Sequence, residues 1–447
     1  MSKHVDIAVI GAGPAGMSAA IAARAQGRSV IVLDEQPAAG GQIYRGVLSV
    51  PEGRARILGA DYTAGAELAR TFAACGAQHV RGAAVWQVTP QRRVSFLHQG
   101  KPRELDAGAI VLCTGAMERP FPVPGWTLPG VMTAGAAQIL LKSADVLPAA
   151  EVVLAGCGPL LYLLATQYLR AGVRITAVVD TTTSADYRGA VVHLPAALRD
   201  WPLLVKGWGL LRELRRSGTP MHAAATDIAI EGDTAARAIR FRTAAGDQRI
   251  EAGLFLLHQG VVPNTQVTRS LRASHAWDEE QLCWRPELGA GGELAGLPGI
   301  YVAGDGARIM GAVASAASGR MAGLAAAQAP FDAASRRMAG AVHARPFLDA
   351  LYRPKQEYRV PPDAVIVCRC EEVTAGEIRK HVRGGCVGPN QLKSFTRCGM
   401  GPCQGRQCGL TVAEIIAAER GLQPADVGYQ RVRPPIKPIT LGELAGS

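Results

Sequence analysis

Short apolar runs that end on glycine, each followed by small and apolar residues at helical spacing, are the first pattern in this chain. Residues 6–10 run into Gly11-Ala12-Gly13-Pro14-Ala15-Gly16, a helical stretch continues to about residue 26, and a strand at 29–33 ends on Asp34-Glu35. The order recurs at 151–155, with Gly156-Cys157-Gly158-Pro159-Leu160-Leu161, a helix to about residue 171, and a strand at 174–179 ending on Asp180. Further buried strands are predicted at 109–113 and 299–303, the latter leading into a small-residue helix over about 311–327. Strands alternating with helices predict an α/β chain built on parallel sheets.

The first repeat reads as a dinucleotide-binding turn. Gly11 allows the tight bend, Gly13 lets the backbone approach a pyrophosphate, and Gly16 lets helix and strand come together. Pro14 and Ala15 open the helix, whose N-terminus offers N–H groups and a positive dipole end to phosphates. The acid about 23 residues after Gly11 can accept ribose hydroxyls. Asp34, at the strand end, is the first choice and Glu35 the second. In the second repeat the third glycine is Leu161, which should push helix from strand or shift the turn. That disfavours a tightly held NAD(P), and leaves both a bare scaffold and a second nucleotide (NAD or ATP) open.

Composition narrows the picture. At 447 residues the chain is long enough for two or three cores, and 48% apolar with 19% charged residues is a soluble, globular profile. The net charge of +11 comes from scattered residues without a basic block, so nucleic acid is not an expected partner. Weak attraction to acidic partners or a membrane surface is compatible with it. No apolar run is long enough to span a bilayer. Residues 1–27 mimic a signal peptide, but their glycines fit the nucleotide turn better. The expected location is cytoplasmic, including the inner face of the membrane as a peripheral site. Cysteines there are ligands or core residues before they are disulfides.

The run at 109–113 leads into Thr114-Gly115, and the run at 299–303 into Gly304-Asp305. With these motifs the chain resembles the two-dinucleotide-domain flavoproteins of glutathione-reductase type. That resemblance implies FAD, with Thr114-Gly115 closing the first nucleotide domain and Asp305 on the ribityl hydroxyls. Gly304 would allow the close approach. The redox cysteine pair of the disulfide reductases is missing. Cys75, Cys113, Cys157 and Cys283 stand apart and are expected to be small buried hydrophobes.

Six of the ten cysteines fall between residues 368 and 408. Cys368-Arg369-Cys370 is followed by a capping box, Thr374 to Glu377, and a helix ending at Gly384-Gly385. A short helix around 391–396 precedes Cys398, Cys403 and Cys408, and a last helix runs over about 411–420. Four thiolates from a CxC and a later pair suit iron–sulfur or zinc ligation. The segment resembles the bacterioferritin-associated-ferredoxin 2Fe–2S domain, which implies Cys368, Cys370, Cys403 and Cys408 as ligands. The second pair is CxxxxC here where that ferredoxin has CxxC, so Cys398 is the spare candidate. Arg369, Lys393, Arg397 and Arg406 surround the ligands in sequence.

Taken whole, the chain resembles the flavin-containing large or alpha subunits of bacterial amine-oxidising dehydrogenases. These include D-hydroxyproline dehydrogenase, opine oxidases, dye-linked proline dehydrogenases and hydrogen cyanide synthase. The resemblance rests on residues 40–45 (GGQIYR), 124–131 (PGWTLPGV) and 158–162 (GPLLY), and brings Gly41 and Gln42 into the cofactor-binding set. It implies a smaller, FAD-dependent, D-amino-acid-oxidase-like beta subunit, optionally a small ferredoxin-like subunit, and FMN between subunits. Some relatives hold ATP where FAD is expected here; Asp34 and Asp305 favour FAD. The implied function is electron transfer from the C–N bond of an imino acid, D-amino acid or opine to a quinone or other acceptor. No catalytic residue is assigned. A self-contained NAD(P)H-dependent reductase is the alternative, and a zinc-stabilised scaffold a third.

The predicted architecture is two dinucleotide-binding, glutathione-reductase-like domains with a small helical C-terminal 2Fe–2S domain. Residues 1–135 and 250–330 form a discontinuous FAD domain and 136–249 a degenerate second nucleotide domain. Residues 331–362 form a connector with one or two helical turns, 363–425 the 2Fe–2S domain and 426–447 a tail.

Overall fold

The computed structural model describes residues 3–446. Lys3–Ile10 is sandwiched in parallel between Val30–Asp34 and Lys101–Leu112, and Ile300–Val302 adds to the far end of Lys101–Leu112. Gln78–Arg81 extends one edge, and the antiparallel strands Arg93–His98 and Ala84–Val88 complete a seven-stranded sheet. That antiparallel extension was not read from the sequence.

Close approach, rather than helix propensity, explains the small residues on two helices. Pro14–Arg24 crosses Ala312–Ala326 so tightly that a Cβ on Gly319 would lie 1.9 Å from the Ala15 carbonyl oxygen. A Cβ on Gly323 would meet Ala19 in the same way. Within the turn, a Cβ on Gly16 would sit 1.8 Å from the Gly11 oxygen. Only glycine lets helix, strand and second helix share this space.

The second sheet is five-stranded and parallel, in the order Met221–His222, Ile175–Asp180, Val152–Cys157, Leu254–Gln259, Val131–Thr133. A three-stranded meander, Thr226–Gly232, Ala236–Thr243 and Gly246–Glu251, packs against it. Val131–Thr133 and Leu254–Gln259 therefore lie outside the boundaries of 136 and 249 expected for this domain. The chain crosses between sheets at an antiparallel pair, Ala116–Glu118 with Val261–Pro263. Val131–Thr133, with three residues, carries no usable period of its own.

Past residue 330 the connector is more helical than expected, with Asp332–Gly340, Arg345–Leu351 and Gln356–Arg359. The small C-terminal core gathers a hairpin, Ile366–Cys368 with Val373–Thr374, and the helices Ala375–Arg383, Pro389–Thr396 and Gly409–Arg420. The Thr374–Glu377 capping box forms as the spacing predicts, and Gly421 ends the last helix with φ of 64°. The segment expected as a tail is docked. Val432 and Ile436 are buried against the first sheet, the Ile436 N–H donates to the Trp86 carbonyl, and Lys437 pairs with Glu35.

The contact at Gly16 gives the first prediction. Gly16→Ala should lower the stability of the chain by about 1–3 kcal/mol, because its methyl meets backbone and not a movable side chain. Denaturant midpoints check this; an unchanged midpoint would show that helix and strand can part freely.

Candidate functional site

The first glycine turn brings the predicted residues together. Gly11 has φ of 101°, Gly13 is extended, and Gly40-Gly41 folds over them so that a Cβ on Gly41 would lie 2.8 Å from Gly13 Cα. Gln42 follows in the same loop, and its carbonyl accepts from Lys142 Nζ at 3.2 Å. Asp34 Oδ2 accepts from the Ala12 N–H and Oδ1 from the Gln36 N–H at 2.7 Å. Burial pushes its carboxyl above the usual range, while the two N–H donors oppose this. These two bonds leave lone pairs on both oxygens for hydroxyl donors. Arg45 lies close enough to Asp34 and Glu35 for its charge to feel both, and its Nε is buried without a partner. Across the turn, Asp305 Oδ1 accepts from Met310 N, Gly311 N and Ser315 Oγ at the start of Ala312–Ala326. A cradle of glycines between two helix N-termini, with an acid on each side, fits an adenine-flavin dinucleotide.

Lys142 was not found by sequence reading, since a lysine in an amphipathic helix normally faces water. It is buried, donates to Gln138 Oε1 at 2.9 Å and to Gln42, and has no carboxylate partner among the described residues. Its helix, Ala134–Ala144, belongs to the second domain, so this ammonium latches the second domain to the Gly40–Gly41 loop.

The second glycine turn is built differently. Gly158 has φ of 113° where Gly13 is at −76°, and Leu161 is fully buried. The connector covers it: Cys157 Sγ lies 3.6 Å from the Tyr352 carbonyl, and Lys355 pairs with Asp186. Asp180, at the strand end, is taken by Tyr162 Oη at 2.6 Å and by the Thr182 N–H. His258 Nδ1 lies 2.7 Å from Glu118 Oε1 behind the same turn, a pair separated by 140 residues that no local motif announces.

Thr114 and Gly115 meet a segment about 150 residues later in the chain. Thr114 Oγ1 donates to the Asn264 carbonyl at 2.9 Å, and the Asn264 N–H donates to Gly115 O at 2.9 Å. Two residues on, Gln266 Nε2 donates to the Cys403 carbonyl at 3.2 Å. The closing turn of the first nucleotide domain and the cysteine loop are thus joined through one short strand end.

Cys368, Cys398 and Cys408 place their sulfurs within 4.8 Å of one another, and all three are buried. Cys370 Sγ lies 4.0 Å from Cys403 Sγ at the exposed side. The four ligands expected from sequence are therefore split between two groups, and Cys398, the spare candidate, joins the buried one. Thiol hydrogen bonds from Cys398 and Cys408 hold the Cys368 thiol far below its usual range, and push the other two up. A thiolate held by neighbouring thiols is a donor set that a metal centre can enter by displacing their protons. The glycines have a packing reason as well: a Cβ on Gly401 would strike Cys370, and Cβ atoms on Gly399 and Gly405 would strike Gln430. Gln430 is buried and donates to the Cys398 carbonyl at 3.3 Å.

Other sequence readings fall as follows. Cys113, Cys157 and Cys283 are buried, Cys75 is half-buried, and Cys386 donates to Gly388 O away from the group. Of the four cations, Arg397 pairs with Glu371 and Arg369 stacks over Trp126, while Lys393 and Arg406 donate to carbonyls of residues 431 and 436. Arg369, Lys393 and Arg406 anchor the cysteine domain to its surroundings, while the Arg397 pair lies within it. Glu414, buried between Arg119 and Arg359, ties the last helix to the interdomain strand pair. Among the described residues no helix is long and apolar enough to cross a membrane.

Comparison with known proteins agrees with this geometry. The pyridine nucleotide-disulphide oxidoreductase family matches residues 5–323, and the sarcosine oxidase A3 domain matches residues 365–447. An opine oxidase subunit of Agrobacterium tumefaciens (strain Ach5) is 46% identical over 100% of this chain and 92% of its own length. Hydrogen cyanide synthase subunit HcnB of Pseudomonas aeruginosa is 32% identical over 96% of each chain. The crystal structure of L-proline dehydrogenase from P. horikoshii covers 99% of this chain and 80% of its own, with a TM-score of 0.72 at 18% identity, which speaks for the fold alone.

The buried Lys142 carries a pH signature. Burial lowers its pKa from 10.5 to about 8. Between those values the unfolded chain holds a proton that the folded chain has shed, so stability rises with pH there. Denaturant midpoints of the wild type should therefore gain on those of Lys142→Met between pH 8 and 10; parallel curves would contradict a desolvated ammonium.

Proposed function

The chain belongs to the pyridine nucleotide-disulphide oxidoreductase family, as a flavin-dependent oxidoreductase of the opine oxidase and HcnB type, and from that premise we propose that it is the electron-transferring subunit of a heteromeric amine or amino acid dehydrogenase. The substrate class is an imino acid, D-amino acid or opine, oxidised at its C–N bond. A smaller FAD-dependent beta subunit supplies the substrate site, with a ferredoxin-like subunit or interfacial FMN as further components. The final acceptor is a quinone or comparable carrier.

FAD would be held by Gly11, Gly13, Pro14, Ala15 and Gly16 at the pyrophosphate, by Asp34 with Glu35 at the ribose, and by Gly41, Gln42, Thr114, Gly115, Gly304 and Asp305 along its length. Lys437 already occupies Glu35, which favours Asp34 as the ribose acceptor. Cys368, Cys370, Cys403 and Cys408 would hold a 2Fe–2S cluster. When bound, a flavin accepts electrons in pairs and an iron–sulfur cluster passes them singly.

The observation that carries this reading is the bridge from Thr114 and Gly115 through Asn264 and Gln266 to Cys403. A hydrogen-bonded link between the end of the flavin fold and the cysteine loop supports a handover of electrons between the two. Coverage of the second glycine turn by Tyr352 weighs against the NAD(P)H-dependent reductase.

The test is anaerobic purification with any co-encoded partner, followed by iron, acid-labile sulfide and flavin analysis. About two irons and two sulfides per chain are expected with FAD. Cys403→Ser should lose the iron, whereas Cys398→Ser should keep it. Zinc without sulfide would overturn the relay, and iron loss from Cys398→Ser alone would exchange those two cysteines in the ligand set.

A further inference from the structure

The crossover between Ile175–Asp180 and Met221–His222 carries an outward face of the wrong polarity for water. Its main helix, Trp201–Arg216, buries Leu210 and Leu214 against the second domain. On the opposite side, at spacings of four and three residues, stand Trp201, Val205 and Trp208, exposed by 62, 53 and 58%. A water-facing stripe at these positions would ordinarily be polar. Val191, Val192 and Leu198 just before this helix are exposed too. So large an apolar surface marks a contact site.

Charge identifies the occupant. The acidic groups of the segment are turned to partners elsewhere: Asp186 to Lys355, Asp200 to the Ala344 N–H, and Glu213 to Arg170. Arg188, Arg199, Arg212, Arg215 and Arg216 have no carboxylate partner among the described residues. Arg212 stacks on the Trp208 ring at 5.1 Å, continuing the outward stripe beyond the apolar turns. Exposed tryptophans and aliphatics beside unpaired arginines are the pattern of a helix lying in a lipid interface, with the arginines at headgroup depth. A docking patch for one protein partner would more often match each cation with an acid of its own or the partner's, and this segment has spent its own acids inward.

We propose that the outward face of residues 187–216 seats this protein on an anionic lipid surface. The inference deepens the quinone reading of the proposed function, since it would bring the complex to where a lipid-soluble acceptor resides.

Vesicle co-sedimentation tests it, with the full chain purified together with its co-encoded partners. Retention on phosphatidylcholine vesicles containing phosphatidylglycerol should exceed retention on phosphatidylcholine alone by at least about tenfold at low salt, and fall as salt is raised. The pair Trp201→Glu with Trp208→Glu, and separately Arg212→Glu with Arg215→Glu and Arg216→Glu, should each abolish the preference while flavin absorbance is kept. Equal retention on both vesicles, or none, overturns the proposal. So does shielding of the two tryptophans from acrylamide by the partner subunits before lipid is added, which would make this face a protein interface. An active complex that ignores vesicles refutes this inference alone; a complex that binds vesicles but lacks C–N oxidation refutes only the proposed function.

Discussion

The main chain of Asn264 is the constraint on which the arrangement depends. It bonds to Thr114 and Gly115, 150 and 149 residues earlier in the chain, and Gln266, two residues beyond it, grips the cysteine loop. The interdomain pair Ala116–Glu118 with Val261–Pro263 flanks this point on both strands. One locus therefore sets where the first nucleotide domain closes, how the second domain is hung from it, and where the thiols stand. Asn264 contributes backbone groups to the bonds with Thr114 and Gly115, so the join does not rest on its side chain.

Around that locus the other contacts act as fasteners. Lys142 pins the second domain to the Gly40–Gly41 loop, Glu414 is held between Arg119 and Arg359, and residues 430–437 run from the cysteine loop to Trp86 and Glu35. Tyr352 and Lys355 of the connector pack on the second glycine turn and on Asp186 just past the Asp180 strand, which fixes the segment leading to the cysteine domain.

Local chemistry made much of this legible from residues alone. Gly16 is needed by its close approach to Gly11, the Thr374–Glu377 box by two orphan N–H groups, and the clustered cysteines by their ligand spacing, and each of these is legible from residues near in sequence. What escaped is long-range. Gln430 fills the space left by Gly399 and Gly405, Tyr352 covers Cys157, and Lys142 meets Gln42 only after the domains dock. The glycines flanking Cys403 read in sequence as a metal-site signature, yet at Gly405 the structure shows them making room for a side chain of the supposed tail. The placement of Cys398 in the buried thiol group has the same origin, since it depends on the turn that Gln430 supports.

The central claim is that one chain carries electrons from a flavin site to its cysteine loop. The most direct test is to add D-hydroxyproline, proline or an opine anaerobically to the purified complex, freeze it, and record the EPR spectrum. A reduced 2Fe–2S signal should appear with substrate and be absent from Cys368→Ser. Flavin bleaching by substrate with no cluster signal in the wild type would contradict it.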